Sequence, residues 1–177
     1  MRITGGKYRG RKINPPANLK VRPTTDFARE SLFNILRNRI DFESVRVLDL
    51  FSGTGSISYE FASRGAQIVH LVERDMKHFA AIKRIIKDMG FSNIKPVRID
   101  VKAYLKTCQF KYNIIFADPP YNLPWLADIP DLVIQSDILN NEGFIILEHP
   151  GRLKFDGHKQ FFEHRNYGSV NFSFFRQ

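Results

Sequence analysis

Val45-Arg46-Val47-Leu48-Asp49-Leu50-Phe51-Ser52-Gly53-Thr54-Gly55 is the stretch on which the fold turns. Val45, Val47, Leu48 and Leu50 form a short apolar run that stops at two closely spaced glycines. Beyond them Ile57, Phe61 and Ala62 fall at helical spacing. The unit reads as strand, glycine turn, helix.

Outward from this unit the alternation repeats. Ile68 to Val72 reads as a strand, Met76 to Met89 as a helix and Pro96 to Ile99 as a strand. A short helix from Val101 to Leu105 and a strand from Tyr112 to Ala117 follow, then mixed helix and loop from Trp125 to Leu139 and a buried strand from Phe144 to Leu147. Near-continuous apolar strands alternating with helices predict an α/β fold with a mostly parallel sheet covered on both faces. The C-terminus departs from this, because the segments 160–164 and 170–175, joined by Asn166-Tyr167-Gly168, read as an antiparallel hairpin. Upstream, Arg22-Pro23-Thr24-Thr25-Asp26 has the makings of a helix start, and Ala28, Leu32, Ile35, Leu36 and Ile40 carry one apolar stripe to about residue 40.

The 177 residues suffice for one buried core with a small appendage. Hydrophobic residues at 43% and charged residues at 25% are the proportions of an ordinary globular protein. The longest apolar runs, 114–117 and 144–147, fall far short of the ~20 residues of a membrane helix. Met1 to Lys7 lacks the apolar stretch of a secretory signal. The single cysteine, Cys108, has no disulfide partner and no metal-ligand spacing around it. A cytoplasmic monomer without metal or membrane attachment is therefore expected.

The net charge of +9 is concentrated at one end. Residues 1–25 hold Arg2, Lys7, Arg9, Arg11, Lys12, Lys20 and Arg22 and no acid, leaving residues 26–177 close to neutral. Such a segment is either a solvated tail or a phosphate-binding module whose lysines and arginines displace counterions from a nucleic acid. Gly5-Gly6, Gly10 and Pro15-Pro16 favour a turned strand pair, with Lys7, Arg9, Arg11, Lys12 and Arg22 as the candidates to bind nucleic-acid phosphates, which the family resemblance given below makes those of RNA.

In open α/β sheets ligands sit at the carboxyl ends of the strands. Gly53 and Gly55 occupy that place after the first strand, and Glu73 ends the second, 24 residues after Asp49, where an acid can accept both hydroxyls of a ribose. A carboxylate such as Asp49 beside the turn opposes a pyrophosphate, and Ser58 stands where a dinucleotide fingerprint has its third glycine. S-adenosylmethionine has no phosphate, and its cationic groups suit an acidic site. Asp49, Phe51, Gly53, Gly55, Glu73 and Asp100 are the cofactor-binding candidates. Asp100 carries two readings, a partner of the adenine amino group or a cap of the next helix.

Asp118-Pro119-Pro120-Tyr121 follows the fourth strand and adjoins the glycine turn. Two prolines stiffen the backbone and remove its donors, so that carbonyl oxygens are displayed. If Asp118 and the Pro119 carbonyl accept both hydrogens of an exocyclic amine, its lone pair is freed for methyl transfer, and Tyr121 can stack on the base. Such a base has to be unpaired or taken out of its stack. Asp118, Pro119, Pro120 and Tyr121 are the catalytic candidates. Glu148-His149 reads as a polar sheet edge rather than an acid–base pair. Trp125 and Phe161-Phe162 read as packing, with Trp125 near enough to Tyr121 to help cover a base.

Residues 3–12, Arg22 to Asp26, Val47 to Gly55 and Asp118 to Tyr121 occur in the order found in bacterial 16S ribosomal RNA guanine-N2 methyltransferases of the RsmD type, which the chain resembles over most of its length. The resemblance implies a Rossmann-like class I methyltransferase fold with a seven-stranded sheet and an N-terminal β-hairpin extension. It also implies transfer to N2 of one guanine of small-subunit ribosomal RNA, within an assembled or assembling 30S particle. Two other functions remain open: a DNA adenine-N6 methyltransferase, which keeps the same two motifs, and a non-catalytic RNA-binding ribosome-assembly protein.

Overall fold

The computed structural model describes residues 1–14 and 25–176. Its elements are α1 (Asp26–Arg37), β1 (Arg46–Leu50), α2 (Ser56–Ser63), β2 (Ile68–Val72), α3 (Met76–Met89), β3 (Ile94–Val97), α4 (Val101–Thr107), β4 (Tyr112–Ala117), α5 (Ile129–Gln135), β5 (Leu139–His149), β6 (Phe161–Tyr167) and β7 (Val170–Arg176). They build one seven-stranded sheet in the order β3-β2-β1-β4-β5-β7-β6. The first five strands are parallel, and β7 runs antiparallel between β5 and β6.

The central strands are buried on both faces, and side-chain alternation divides the core in two. Val47, Leu71, Ile114, Phe116 and Ile146 face one cluster, which α1, α2 and α3 cover with Leu32, Phe61 and Ile82. Leu48, Leu50, Ile115, Ile145 and Leu147 face the other, under Tyr104 and Leu105 of α4 and Val133 of α5. Among the described residues no helix is long and apolar enough to cross a membrane.

Element limits differ from the sequence reading where local signals conflict with pairing. The third strand begins at Ile94, not Pro96, because Ile94 pairs with Val69 and is buried; Pro96 is tolerated because β3 is an edge strand. α1 stops at Arg37, three residues early, where the Asn38 N–H closes the last turn on Ile35 and Leu36. β5 starts at Leu139 and runs eleven residues, its register shifted opposite Tyr112 and Ile114. At the other end of α1, the Thr25 hydroxyl accepts the Ala28 N–H at 3.2 Å as the N-cap.

The first fourteen residues lie against the sheet's helical cover. The strand pair read from the sequence is reduced to one antiparallel bridge between Arg2 and Lys12, with turns between them. Ile3 and Ile13 are buried in the α1–α3 cluster. The Thr4 N–H donates to Glu60 of α2 at 2.7 Å, and the Lys7 N–H to the Ser63 carbonyl at 2.7 Å. Gly6 has φ of +74°, and a Cβ there would collide with the Ser63 carbonyl, so glycine allows this close approach. Pro15-Pro16, Lys20, Arg22 and Pro23-Thr24 lie outside the described residues.

Candidate active site

The carboxyl ends of the parallel strands open on a cavity of about 670 Å³. β1 and β4 are neighbours in register, Leu50 beside Ala117, so the glycine turn and the Asp-Pro-Pro-Tyr turn leave the sheet side by side. The Asp118 N–H reaches back to the Leu50 carbonyl at 3.4 Å.

The glycine turn is held by its neighbours. The Ser52 hydroxyl contacts the Asp49 carbonyl at 2.8 Å and the Val72 carbonyl at 3.0 Å, tying β1 to β2. Phe51 has φ of +60°, a conformation few non-glycine residues adopt, so the surroundings must enforce it. Gly55 caps α2 at φ of +81°, where a Cβ would stand 2.7 Å from the Tyr59 ring. Glu73 then joins two turns: one carboxylate oxygen accepts the Gly53 N–H at 2.9 Å and the other the Asp75 N–H at 2.7 Å. Each oxygen keeps a second lone pair, and Glu73 lines the cavity, so accepting hydroxyl groups is open to it.

Phe51, Gly53, Glu73, Asp100 and the four residues Asp118 to Tyr121 all line the cavity; among its described lining residues Asp49 and Gly55 are absent. Asp49 lies a layer behind the turn, 2% exposed, and accepts the Ser58 hydroxyl at 2.6 Å. Burial pushes its carboxyl up to about 7, against the Ser58 hydrogen bond, which holds it down. Ser58 thus fills the place of a third glycine with a donor. The sequence put Asp49 beside the ligand; the fold puts it beneath the turn.

On the β3 side the cavity is bordered by aromatic rings. The Phe51 and Trp125 rings are 5.8 Å apart, and the Lys102 ammonium sits 4.5 Å from the Trp125 centroid. With Ile99, Val101 and Leu123 the two rings make an apolar wall against which a flat ring can lie. Asp100 stands at its edge and caps α4, accepting from the Lys102 N–H at 2.9 Å and the Ala103 N–H at 3.4 Å. Of its two readings the cap is visible, and its place in the cavity wall is compatible with the other.

On the β4 and β5 side, Pro119 is buried, and the Arg152 guanidinium fixes the Tyr121 carbonyl at 2.7 Å. The Tyr121 hydroxyl donates to Glu148 at 3.3 Å. Glu148 is 4% exposed, lines the cavity and stands one residue before the end of β5. Strand alternation turns His149 away, to the Ser173 hydroxyl at 2.8 Å, and burial lowers its pKa. The two residues lie buried on an interior strand rather than at a polar sheet edge; Glu148 lines the cavity, and its place near a parallel strand's carboxyl end was the signal for it. Trp125, read as packing or a cover, lines the same cavity.

Lys7, Arg9, Arg11 and Lys12 are exposed and line none of this cavity. Lys7 and Arg11 each lie 5.5 Å from the Tyr8 ring centroid. Thr25, which starts α1, does reach the cavity. Arg22 lies outside the described residues.

Comparison with known proteins gives the chain's family and matches its fold. The family model "Conserved hypothetical protein 95" matches residues 1–176. The ribosomal RNA small subunit methyltransferase D of Buchnera aphidicola subsp. Baizongia pistaciae is 33% identical over 154 residues, covering 86% of this chain and 78% of that one. The protein of the same name from Escherichia coli K12 is 34% identical over 151 residues, covering 84% and 74%. A hypothetical protein of Thermus thermophilus superposes with a TM-score of 0.87 at 29% identity, over 100% of this chain and 99% of that one.

Proposed function

The chain belongs to the Conserved hypothetical protein 95 family, and we propose that it transfers a methyl group from S-adenosylmethionine to N2 of a guanine in 16S ribosomal RNA, within an assembled or assembling 30S particle. The observation that carries this reading is the adjacency of the glycine turn and Asp118 to Tyr121 on one cavity, through paired strands β1 and β4. The names of the relatives support ribosomal RNA as the methylated class. Guanine N2 and the particle rest on the family resemblance.

The residues present fit the cofactor. Glu73 offers lone pairs for two ribose hydroxyls, and the apolar wall of Phe51, Trp125 and Ile99, with Asp100 beside it, suits an adenine. Gly53 brings bare backbone close to a ligand. When bound, S-adenosylmethionine supplies an electrophilic methyl group. The chain's own part is orientation. Asp118 and the Pro119 carbonyl accept the hydrogens of the amine, which turns its lone pair out of conjugation with the ring. Tyr121, steadied by Glu148 and Arg152, stacks on the base and holds it in line. Positioning and fixed dipoles do this work, and no covalent enzyme intermediate is needed. The proton of the methylated amine leaves to Asp118 or to water. Exposed Lys7, Arg9, Arg11 and Lys12 hold the RNA backbone outside the cavity, and Arg22 is a further RNA-binding residue.

Methyl transfer from tritiated cofactor to unmethylated small subunits, naked ribosomal RNA and DNA in parallel, with nucleoside analysis, tests the reading. Label in N2-methylguanosine of the small subunit is expected; label in N6-methyladenine of DNA overturns it. Asp118→Ala is expected to lower transfer about a hundredfold or more while cofactor affinity stays within a fewfold.

A further inference from the structure

A second cavity, of about 400 Å³, lies between the N-terminal segment, α1 and α2. Its charged and polar lining is Thr4, Arg9, Glu30, Asn34, Arg37 and Arg64, three cations against one acid. Phe33 and Phe42 make its apolar floor, with the Arg64 guanidinium 4.8 Å and 5.6 Å from their ring centroids. One end of that guanidinium is held, at 3.0 Å from the Thr4 hydroxyl and 3.3 Å from Glu60. Its Nε is buried with no hydrogen-bond partner among the described residues. Glu60 cannot serve the cavity further, because it also accepts the Thr4 N–H and pairs with the fully buried Arg29.

Electrostatics indicate what is missing. Burial disfavours the charged Arg64, and the fields of Arg37 and Arg9 add to the penalty, relieved by Glu60 and Glu30. An anion in the cavity offsets both costs. The glycines have a part here: a side chain at Gly5 would occupy the position of the Arg64 guanidinium.

We propose that this cavity binds one phosphodiester of the RNA strand, with Arg37 and Arg64 as binding residues alongside Arg9. The inference rests on the reading of the chain as an RNA methyltransferase and gives the basic segment a defined site. A phosphodiester spreads one negative charge over two free oxygens, which accept several N–H donors at once, and the guanidiniums of Arg9, Arg37 and Arg64 supply them. Location supports an anchor apart from the chemistry. α1 runs from Thr25 at the main cavity to Arg37 at this one, and its twelve residues at about 1.5 Å each place the two about 18 Å apart. That is a span of several nucleotides. A strand presenting its base to Asp118 therefore has its backbone held at a second point.

The test is RNA binding to unmethylated small-subunit ribosomal RNA across a potassium chloride series. Arg37 is exposed at the end of α1, so Arg37→Glu leaves the core intact. It is expected to weaken binding about fivefold to tenfold and to reduce the salt slope by about 1, with cofactor affinity unchanged. Glu30→Gln removes the one opposing charge and is expected to tighten binding, which a general loss of fold cannot do. Unchanged affinity and slope in Arg37→Glu, in a protein that methylates the RNA, overturn this inference and leave the function standing. Wild-type protein that transfers no methyl group to any RNA overturns the function instead. Inorganic phosphate is the remaining arm: if it raises the melting temperature of wild type but not of Arg37→Glu, while RNA binding is the same in both, the cavity holds a free anion and the RNA assignment falls.

Discussion

The Ser58 hydroxyl donates a 2.6 Å hydrogen bond to the Asp49 carboxylate, with both residues buried behind the glycine turn. Asp49 has few other means of offsetting its burial, and the bond also ties the start of α2 to the end of β1. Ser58→Ala is expected to cost about 1–3 kcal/mol at pH 8, because a buried carboxylate loses a donor. Urea unfolding of the two proteins measures it, and superimposable curves at that pH would show that the bond contributes nothing.

The same carboxylate gives the protein a pH dependence. Its folded pKa, pushed up to about 7, lies above the unfolded value of 3.8. Folding therefore takes up a proton between the two values. The contribution is complete below the unfolded pKa and is lost as pH rises through about 7. Wild type is expected to lose stability relative to Asp49→Asn from about pH 5 to about pH 8, on the order of 2 kcal/mol. Parallel unfolding at the two pH values reads the difference, and a gap that does not vary with pH refutes the assignment.

Glu73 holds the Gly53 and Asp75 N–H groups at once, so its loss affects the cavity wall as well as any ligand. Glu73→Ala is expected to weaken S-adenosylmethionine binding more than tenfold. Glu73→Gln retains one acceptor oxygen and should fall between the two. Calorimetry orders the three proteins, and equal affinities would remove Glu73 from the cofactor site.

Trp125 is the one tryptophan of the chain, which makes its emission a local signal. It forms part of the apolar wall assigned to adenine, with Lys102 at 4.5 Å. Titration with S-adenosylhomocysteine is expected to change the emission in proportion to the fraction bound. An emission spectrum constant through saturation, with binding verified by calorimetry, places the adenine elsewhere.

Glu60 is 1% exposed and joins the N-terminal segment to α1 and α2 through Thr4, Arg29 and Arg64. Glu60→Ala takes away the buried partner of Arg29, itself 1% exposed, which keeps only the exposed Asp26 carboxylate at 3.0 Å and the Arg2 carbonyl at 2.8 Å, and is expected to cost about 3 kcal/mol. Removal of residues 1–14 should destabilise the core comparably, since Ile3 and Ile13 go with them. Thermal unfolding of both variants checks this, and a truncated chain with wild-type melting would mark the segment as a separable tail.

Much of this was legible in the chain alone because it depends on local periodicity. β2, α3 and β4 fall where the apolar spacing puts them, Ile68–Val72, Met76–Met89 and Tyr112–Ala117, and the C-terminal hairpin follows its turn residues. The cavity could be anticipated for the same reason: parallel strands end together, so motifs at their ends must meet. What the sequence could not supply is direction perpendicular to the chain. It marked Asp49 as an acid at a strand end, but only the packed sheet shows it beneath the turn with Ser58, and only strand alternation sends Glu148 into the cavity and His149 away. Nor could it bring Arg9, Arg37 and Arg64 to one cavity, since they belong to three elements and meet only when the N-terminal segment docks on α1 and α2. Strand order and motif position are written in short-range patterns; burial, partner and charge environment depend on contacts between distant residues, and the fold alone sets those.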